Sequence, residues 1–375
     1  MLNVETYRGA GAVEAIADDW HRLAGTGARR RFFHWHGWWK CFVGSLEQDP
    51  DELSFFVARR DTRPVAIVPL KRSVRGGPGL GAVQWRLPIH PHMPLADILC
   101  SDDLGMPELF EALLPALERN GGGSWDALVF DPVLAESPLA TVGAVRGGGI
   151  HASIVKTCDE IPCGMNVDSF RSRFSRNLRS NLNKARNKLA REPAVEFGTA
   201  ARPGELEDAL AGFMDLEASG WKGRQGTGSA IRLDPRLLDF YRGLIRELGP
   251  QGRVVIKSLK VAGRLIAGQF CLRDDDTLYV LKLAYDEEWS RVSPGNMLLE
   301  HSVKAVHEGA ATHSISLVGN PPWFKPWQPT SQDVFSIWLT NNTARGRALS
   351  GLLGLKQRLK PVYRRVFARQ AGAER

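Results

Sequence analysis

Residues 253–318 set the tightest limit on what this chain of 375 residues can fold into. Three short runs rich in β-formers, 253–261, 265–273 and 278–285, follow one another across tight turns at Ala262-Gly263-Arg264 and Asp274-Asp275-Asp276. Each is long enough for a strand and too short for a helix of its own. A loop, 286–293, leads into a helical pattern in which Met297, Leu298, Val303, Ala305 and Val306 recur until Gly309 stops it. Residues 313–318 alternate as a further strand. The predicted order is three antiparallel strands, a loop, a helix and a closing strand. Ser293-Pro294-Gly295 stands at the helix entrance, where free N–H groups and the positive helix end can face an anion. An ordinary strand-to-helix turn looks the same, so the spacing alone leaves both readings open.

Charge narrows the choice of partner. The net charge of +8 is concentrated in residues 345–375, where nine Lys/Arg face one acid, Glu374, and the other 344 residues sum to zero. A uniformly basic nucleic-acid binder is disfavoured, and a neutral catalytic body with a basic tail fits better. A hydrophobic content of 43% and a charged content of 24% suit an ordinary globular chain of two or three domains. No run approaches the roughly 20 apolar residues that span a bilayer. The N-terminal residues carry acids and no apolar segment, so a signal peptide is not expected and the cytoplasm is the predicted location. Five scattered cysteines (Cys41, Cys100, Cys158, Cys163, Cys271) complete no zinc pattern and read as reduced, structural thiols.

Three spans follow: 1–150 as one α/β unit, 151–344 as a second, and 345–375 as a tail. In the first, 53–59 and 64–72 read as a hairpin, and 107–119 as a helix. The glycine-rich segment 75–83 lacks a Lys-Ser/Thr ending and opens no helix, so it reads as a loop. His90, His92 and Asp97 surround two prolines; a metal site, a loop bordering a substrate cleft and a plain structural loop all remain open. In the second span Asp168 is predicted to cap a helix over 169–192. Phe170, Phe174, Leu178, Leu182, Ala185 and Leu189 draw one apolar stripe along it, while eight Arg/Lys between 171 and 191 have no acid among them. Such a helix forfeits i,i+4 pairing and keeps its repulsion; anionic ligands would offset this, and a merely solvated face is the plain alternative. Residues 346–368 form a predicted basic amphipathic helix, kinked at Pro361, that suits an anionic membrane surface or a disordered solubilising end.

The pieces RNLRSNLNKARNKL (176–189), DLEASGWKG (215–223), VAGRLIAGQFCL (261–272), LYVLKLAYDEEWSRVSPGNMLL (278–299) and KPWQP (325–329) resemble the CelD/BcsL-type branch of the GNAT acyltransferases. That branch is related to the FemABX transferases, which carry two GNAT-like halves. RFFHWHGWW (31–39), VAIVPLKR (65–72) and PLADILC (94–100) are similar to it as well. The resemblance implies an α/β (α+β) fold of tandem GNAT-like domains, with mixed, mostly antiparallel sheets flanked by helices and a C-terminal basic amphipathic helix.

It also implies an N-acyltransferase that uses acyl-CoA as co-substrate, with no permanently bound cofactor or metal. The acceptor would be an amine on a lipid, such as a sphingoid base, or on an envelope polysaccharide precursor. Location would be cytoplasmic, or peripheral on the inner face of the cytoplasmic membrane. Most GNAT enzymes place a Q/R-x-x-G-x-G/A loop over the coenzyme A pyrophosphate; this chain has Trp289-Ser-Arg-Val-Ser-Pro-Gly-Asn296 instead. The departure leaves an acyl-carrier protein, or aminoacyl-tRNA as in the Fem relatives, as alternative donors.

By the same resemblance Asp286 is the candidate base, with Glu217 and Asp97 as others from across the cleft, and Tyr285 the candidate acid. Lys282 would share a sheet face with Ala284 and Asp286. Arg291, Ser293, Pro294, Gly295, Asn296 and Lys325 would hold phosphates. His90, His92, Arg179, Lys222 and Gln269 would meet substrate, and Trp221 and Trp327 would line a channel. A surface pair of Lys282 and Asp286 beside a core Tyr285, in a non-catalytic binding module, is the bland alternative.

Overall fold

The computed structural model describes residues 2–25, 31–76, 81–142, 149–163, 167–309 and 312–371, without the side chains of 167–169 and 359–371. In chain order the strands are β1 (Leu2–Arg8), β2 (Leu53–Arg60), β3 (Arg63–Arg75), β4 (Ala82–Arg86), β5 (Leu99–Cys100), β6 (Ala127–Leu134), β7 (Ile150–Pro162), β8 (Val195–Ala200), β9 (Val254–Val261), β10 (Arg264–Arg273), β11 (Thr277–Tyr285), β12 (Ser314–Ser316) and β13 (Thr330–Thr340). The helices are α1 (Ala12–Ala15), α2 (Ala17–Ala24), α3 (His36–Cys41), α4 (Met106–Asn120), α5 (Val167–Ser172), α6 (Arg176–Leu189), α7 (Pro203–Ser219), α8 (Pro235–Leu248), α9 (Pro294–Glu308) and α10 (Ala344–Ala371).

The chain divides into two compact units, one of Met1–Arg29, Asp49–Lys156 and Asp333–Arg375, the other of Arg30–Gln48 and Thr157–Gln332. Each takes in separated stretches, unlike the continuous spans 1–150, 151–344 and 345–375. The aromatic run after Arg31 belongs with the second unit because its rings pack there. Phe32 meets Tyr279 of β11 edge-on, and Trp38 meets Phe240 of α8.

In the first unit β1, β2, β3 and β4 are antiparallel neighbours, β4 runs parallel to β6, and β6 pairs antiparallel with β13. The β2–β3 hairpin turns at Asp61, whose φ of 57° is the left-handed conformation a tight turn requires. Of the glycine-rich segment, residues 77–80 lie outside those described; the strands flanking it pair Arg75 with Ala82. In the second unit β8, β9, β10 and β11 are antiparallel, β11 runs parallel to β12, and β12 pairs antiparallel with β7. Four antiparallel strands, a parallel fifth and an antiparallel sixth thus occur twice, a tandem arrangement.

The predicted helix over 169–192 is two helices, α5 and α6. The Ser175 hydroxyl accepts from the Leu178 N–H (3.1 Å), capping α6, while Arg173 and Phe174 donate back three residues and tighten the turn before it. The side chain of Asp168, the expected cap, lies outside those described. The apolar stripe survives the break: Phe170, Phe174, Leu178, Leu182, Ala185 and Leu189 are all buried against β9–β11 and α9. Truncating one of its leucines to alanine costs about 2–5 kcal/mol. Residues 12–24 are likewise two helices, α1 and α2, parted at Ile16. The tail is one helix, α10, running through Pro361.

Candidate active site

The site grows out of β11. Its partner β12 pairs with it only through Thr277–Tyr279, against Ser314–Ser316. From Val280 to Tyr285 that edge has no strand partner among the described residues. On the other edge β10 stays paired to the end, with one irregularity: Phe270 faces Lys282 and the next residue, Cys271, faces Val280. Leu281 is therefore an extra residue, a β-bulge. The Asp286 N–H donates to the Ile266 carbonyl (2.9 Å). The alternation of an antiparallel ladder then turns the N–H groups of Leu283 and Tyr285 toward the unpaired edge.

One face of β11 meets α9. Ser293 holds a left-handed conformation (φ 47°, ψ 55°) that turns the chain into the helix, and Pro294 supplies the first helical φ without needing a hydrogen-bond acceptor. Met297 N–H is bonded back to the Ser293 carbonyl (3.0 Å), so those of Gly295 and Asn296 precede the first intrahelical bond. They border a cavity of about 340 Å³ lined by Leu283, Tyr285, Ser290, Ser293, Pro294, Gly295, Asn296 and Trp323. A Cβ added at Gly295 would stand 3.4 Å from Leu283 Cδ2 and 3.6 Å from Tyr285 Cδ1. Backbone donors, three hydroxyls and an amide, with aromatic walls and no charged side chain, make a cradle for a phosphate or a polarised carbonyl.

The opposite face meets α7 and α8. Gly268, across from Ala284, lies against Phe213 and Leu216, and Phe270, across from Lys282, packs on Tyr241. Lys282 lies on this face, partly buried. Burial and the nearby Lys222 ammonium lower its pKa to about 8, against the pull of Glu217. Glu217 is buried; its Oε1 accepts from Lys222 Nζ (2.7 Å) and its Oε2 from the Ile231 N–H (2.9 Å). Burial, then the Glu217 charge, hold the Tyr241 hydroxyl well above its ordinary value. The strand thus separates a neutral, anion-accepting cavity from a lysine poised to exchange a proton near pH 8.

The expected residues divide sharply. Tyr285, Ser293, Pro294, Gly295 and Asn296 meet at the cavity; Lys282, Glu217 and Lys222 meet on the other face. Asp286, the expected base, caps the following turn by accepting from the Glu288 N–H (3.0 Å) and is ion-paired with Arg264. Arg291 is ion-paired with Glu192 (2.6 Å), not with the cavity. Trp327 is fully buried against Phe174, so it builds core and not a channel; its neighbour Trp323 lines the cavity instead. Gln269 is fully buried and accepts from the Ser302 hydroxyl (3.0 Å). Trp221 is exposed, and Lys325 and Arg179 stand at the surface.

Of the α5–α6 cations, Arg171 and Arg186 pair with Glu300 and Lys188 reaches the Arg291 carbonyl. Arg173, Arg176, Arg179, Lys184 and Arg191 are exposed without an ion pair among the described residues. Asp97, His90 and His92 belong to the first unit. Asp97 is buried, accepts from Ser137 and from the Ile98 N–H (2.8 Å each), and burial raises its pKa to about 7. The His90 and His92 rings lie 5.6 Å apart, His90 Nδ1 accepting from the His92 N–H. Sequence reasoning missed Ser290 and Trp323, neither of which carries a periodic signal.

Residues 176–325 match the family model of the acetyltransferase (GNAT) domain. No curated protein matches the sequence. Solved structures share the fold at low identity. The C-terminal DUF2156 domain of a candidate lysylphosphatidylglycerol synthetase from Agrobacterium fabrum is 12% identical, with a TM-score of 0.52 over 89% of this chain and 95% of its own. FemX is 13% identical, with a TM-score of 0.52 over 85% and 95%. A conserved protein of unknown function from Bacteroides thetaiotaomicron is 14% identical, with a TM-score of 0.53 over 87% and 97%. The parted β11, the helix entrance beside it and the family match agree: this chain carries a GNAT-type acyltransferase fold, built from tandem mixed α/β units.

Proposed function

We propose that the chain is an N-acyltransferase that moves an acyl group from the thioester of acyl-CoA to an amine. The observation that carries this reading is the parting of β11 from β12 beside the entrance of α9. The unpaired Leu283 and Tyr285 N–H groups offer an oxyanion site for the thioester carbonyl, and the Gly295 and Asn296 N–H groups a seat for the donor's phosphate. In the step proposed, neutral Lys282 removes a proton from the acceptor ammonium. The free amine attacks the carbonyl carbon and the C–S bond breaks. The amine's second proton reaches the leaving thiolate through the Tyr285 hydroxyl. Burial, then the Lys222 ammonium held by Glu217, lowers the Lys282 pKa to about 8, against the direct pull of the Glu217 charge.

Resemblance to the CelD/BcsL branch supports an acceptor in envelope glycan or lipid synthesis. Leu352 and Leu355, both exposed on basic α10, support an approach to an anionic membrane surface. Among the described residues no helix is long and apolar enough to cross a membrane. Five exposed cations between 173 and 191, without an ion pair among the described residues, favour a second reading, in which the donor is an aminoacyl-tRNA. The test is a thermal-shift and mass-spectrometry screen of acyl-CoA chain lengths, followed by lipid and glycan amines with the preferred donor. Stabilisation by an acyl-CoA and formation of an amide are expected. Stabilisation by charged tRNA alone would transfer the reading to aminoacyl transfer.

A further inference from the structure

We infer that the β3–β4 hairpin of the first unit forms a second anion site, which takes the phosphoryl group of a ligand. The inference stands apart from the thioester chemistry, since every residue it uses lies in the other unit. Cross-strand partners share a sheet face, and the register pairs Lys71 with Arg86, Ser73 with Gln84, and Arg75 with Ala82. One face of the hairpin therefore carries Lys71, Arg75 and Arg86 together with a hydroxyl and an amide. This is a polar island in an apolar sheet. Leu53 flanks Lys71 on β2, while Val129 and Ala127 flank Arg86 and Gln84 on β6, and all three are fully buried.

Part of the island is unsatisfied: Arg86 Nε, Ser73 Oγ and Gln84 Oε1 are buried without a hydrogen-bond partner among the described residues, and Gln84 is only 5% exposed. Three buried polar atoms without partners on one face are rare in a folded protein and mark a place where a missing group belongs. Two cations stand directly opposite each other, an arrangement that costs stability in a sheet unless a counter-charge joins them. Lys71 donates to Asp49 Oδ2 (3.5 Å) and is ion-paired with it. Asp131, whose charge also acts on Arg86, accepts the Ser336 hydroxyl. Burial, then the Arg75 charge, lowers the Arg86 pKa, which a bound anion would reverse.

The chemistry on offer fits one group. A guanidinium fork takes two oxygens of a tetrahedral anion, Lys71 and Arg75 supply further positive charge, and the Ser73 hydroxyl gives a short directional bond. Gln84 Oε1 can accept only from a protonated oxygen or an adjoining hydroxyl. A phosphate monoester beside a hydroxyl, as in a glycerol phosphate headgroup or a sugar phosphate, satisfies every atom on the island.

The test is thermal melting of the full chain in phosphate-free buffer, titrated with inorganic pyrophosphate. Wild type and Gly295→Val, which fills the cavity of the second unit, are expected to gain several degrees. Arg86→Met and the milder Ser73→Ala are expected to lose most of that gain, and Arg86→Met to melt no lower than wild type without anion. A gain that survives Arg86→Met and vanishes in Gly295→Val would locate the anion in the other unit and overturn the inference. No gain in wild type at millimolar pyrophosphate would overturn it equally. Glycerol 3-phosphate and glucose 1-phosphate, run in parallel, separate a lipid headgroup from a glycan precursor by the larger shift.

Discussion

The two units repeat one strand order and use it differently at the fourth strand. In the first, β4 pairs with β6 to its last residue, and the ladder continues as Leu87 N–H bonds to the Val129 carbonyl (3.0 Å). In the second, β11 leaves β12 after three pairs and runs six residues further. The crossover differs too. Eight residues separate β11 from α9, whereas residues 87–105, with β5 among them, separate β4 from α4. Among the described residues, the second unit therefore brings an unpaired strand edge and a helix entrance together where the first does not. A shared topology supplies the frame, and the length of one strand relative to its neighbour decides whether that frame opens. Where β4 stays zipped, polar chemistry sits on the sheet face; where β11 parts, it sits at the sheet edge.

The comparison breaks most easily at Lys282. Lys282→Met should lower turnover about 10²–10⁴-fold, the range for loss of a general base. In wild type kcat/KM should climb with pH and level off above about 8, because the neutral amine is the working form. A profile flat from pH 6 to 9 would remove Lys282 from the chemistry. The same substitution should raise Tm at pH 7 by about 2–4 °C. A lysine whose folded pKa is lowered imposes its burial cost wherever it is charged. That cost is full below pH 8 and fades between about 8 and the ordinary 10.5.

The next effect tests the cradle against its counterpart. Gly295→Val should cut turnover about 100-fold by filling the cavity, while Gly105→Val, at the entrance of α4, should change it less than about two-fold, as a surface substitution does. Equal losses at both positions would mean that the first unit's helix entrance also serves catalysis.

A smaller effect is expected on α6. Arg176→Glu with Lys184→Glu should raise the donor KM about ten-fold with kcat unchanged, and the change should shrink at high salt. Steady-state kinetics at two ionic strengths checks this. Smallest is the stability effect in the first unit. The Asp97 carboxyl stays protonated in the folded chain up to about pH 7, whereas the unfolded chain releases that proton near 3.8. Stability contributed there falls as pH rises between those values. Asp97→Asn should therefore raise Tm by a few degrees above pH 7 and leave it unchanged at pH 4, as calorimetry would show.

The strand-loop-helix-strand of 277–316 was legible because its signals are local: β-formers in short runs, a helical period, and Ser-Pro-Gly at the entrance. Tyr285 and Ser293, Pro294, Gly295 and Asn296, the residues nearest those signals, border the cavity. Other features depend on partners distant in sequence. Asp286 read as a candidate base at a strand end or as a partner for Lys282, but Arg264, 22 residues earlier, pairs with it. Trp323 and Trp327 share a proline-rich loop without periodicity, so nothing in the chain told the buried ring from the one at the cavity. The β3–β4 island could not be read either, because it appears only once the register pairs Lys71 with Arg86.

Leu281 has a consequence beyond bending β11. Before it, Val280 belongs to the row of Cys271 and Val255 that packs toward α9; after it, Leu283 and Tyr285 take over that side, and Lys282 falls to the other. One inserted residue thus sets the parity of everything downstream. Drawing Leu281 into the ladder opposite Phe270 would exchange the two sides, sending Tyr285 toward Glu217 and Lys282 into the cavity, whereas deleting it would straighten the strand and leave both sides as they are. Positions along this strand are therefore comparable between proteins only when counted back from its C-terminal end.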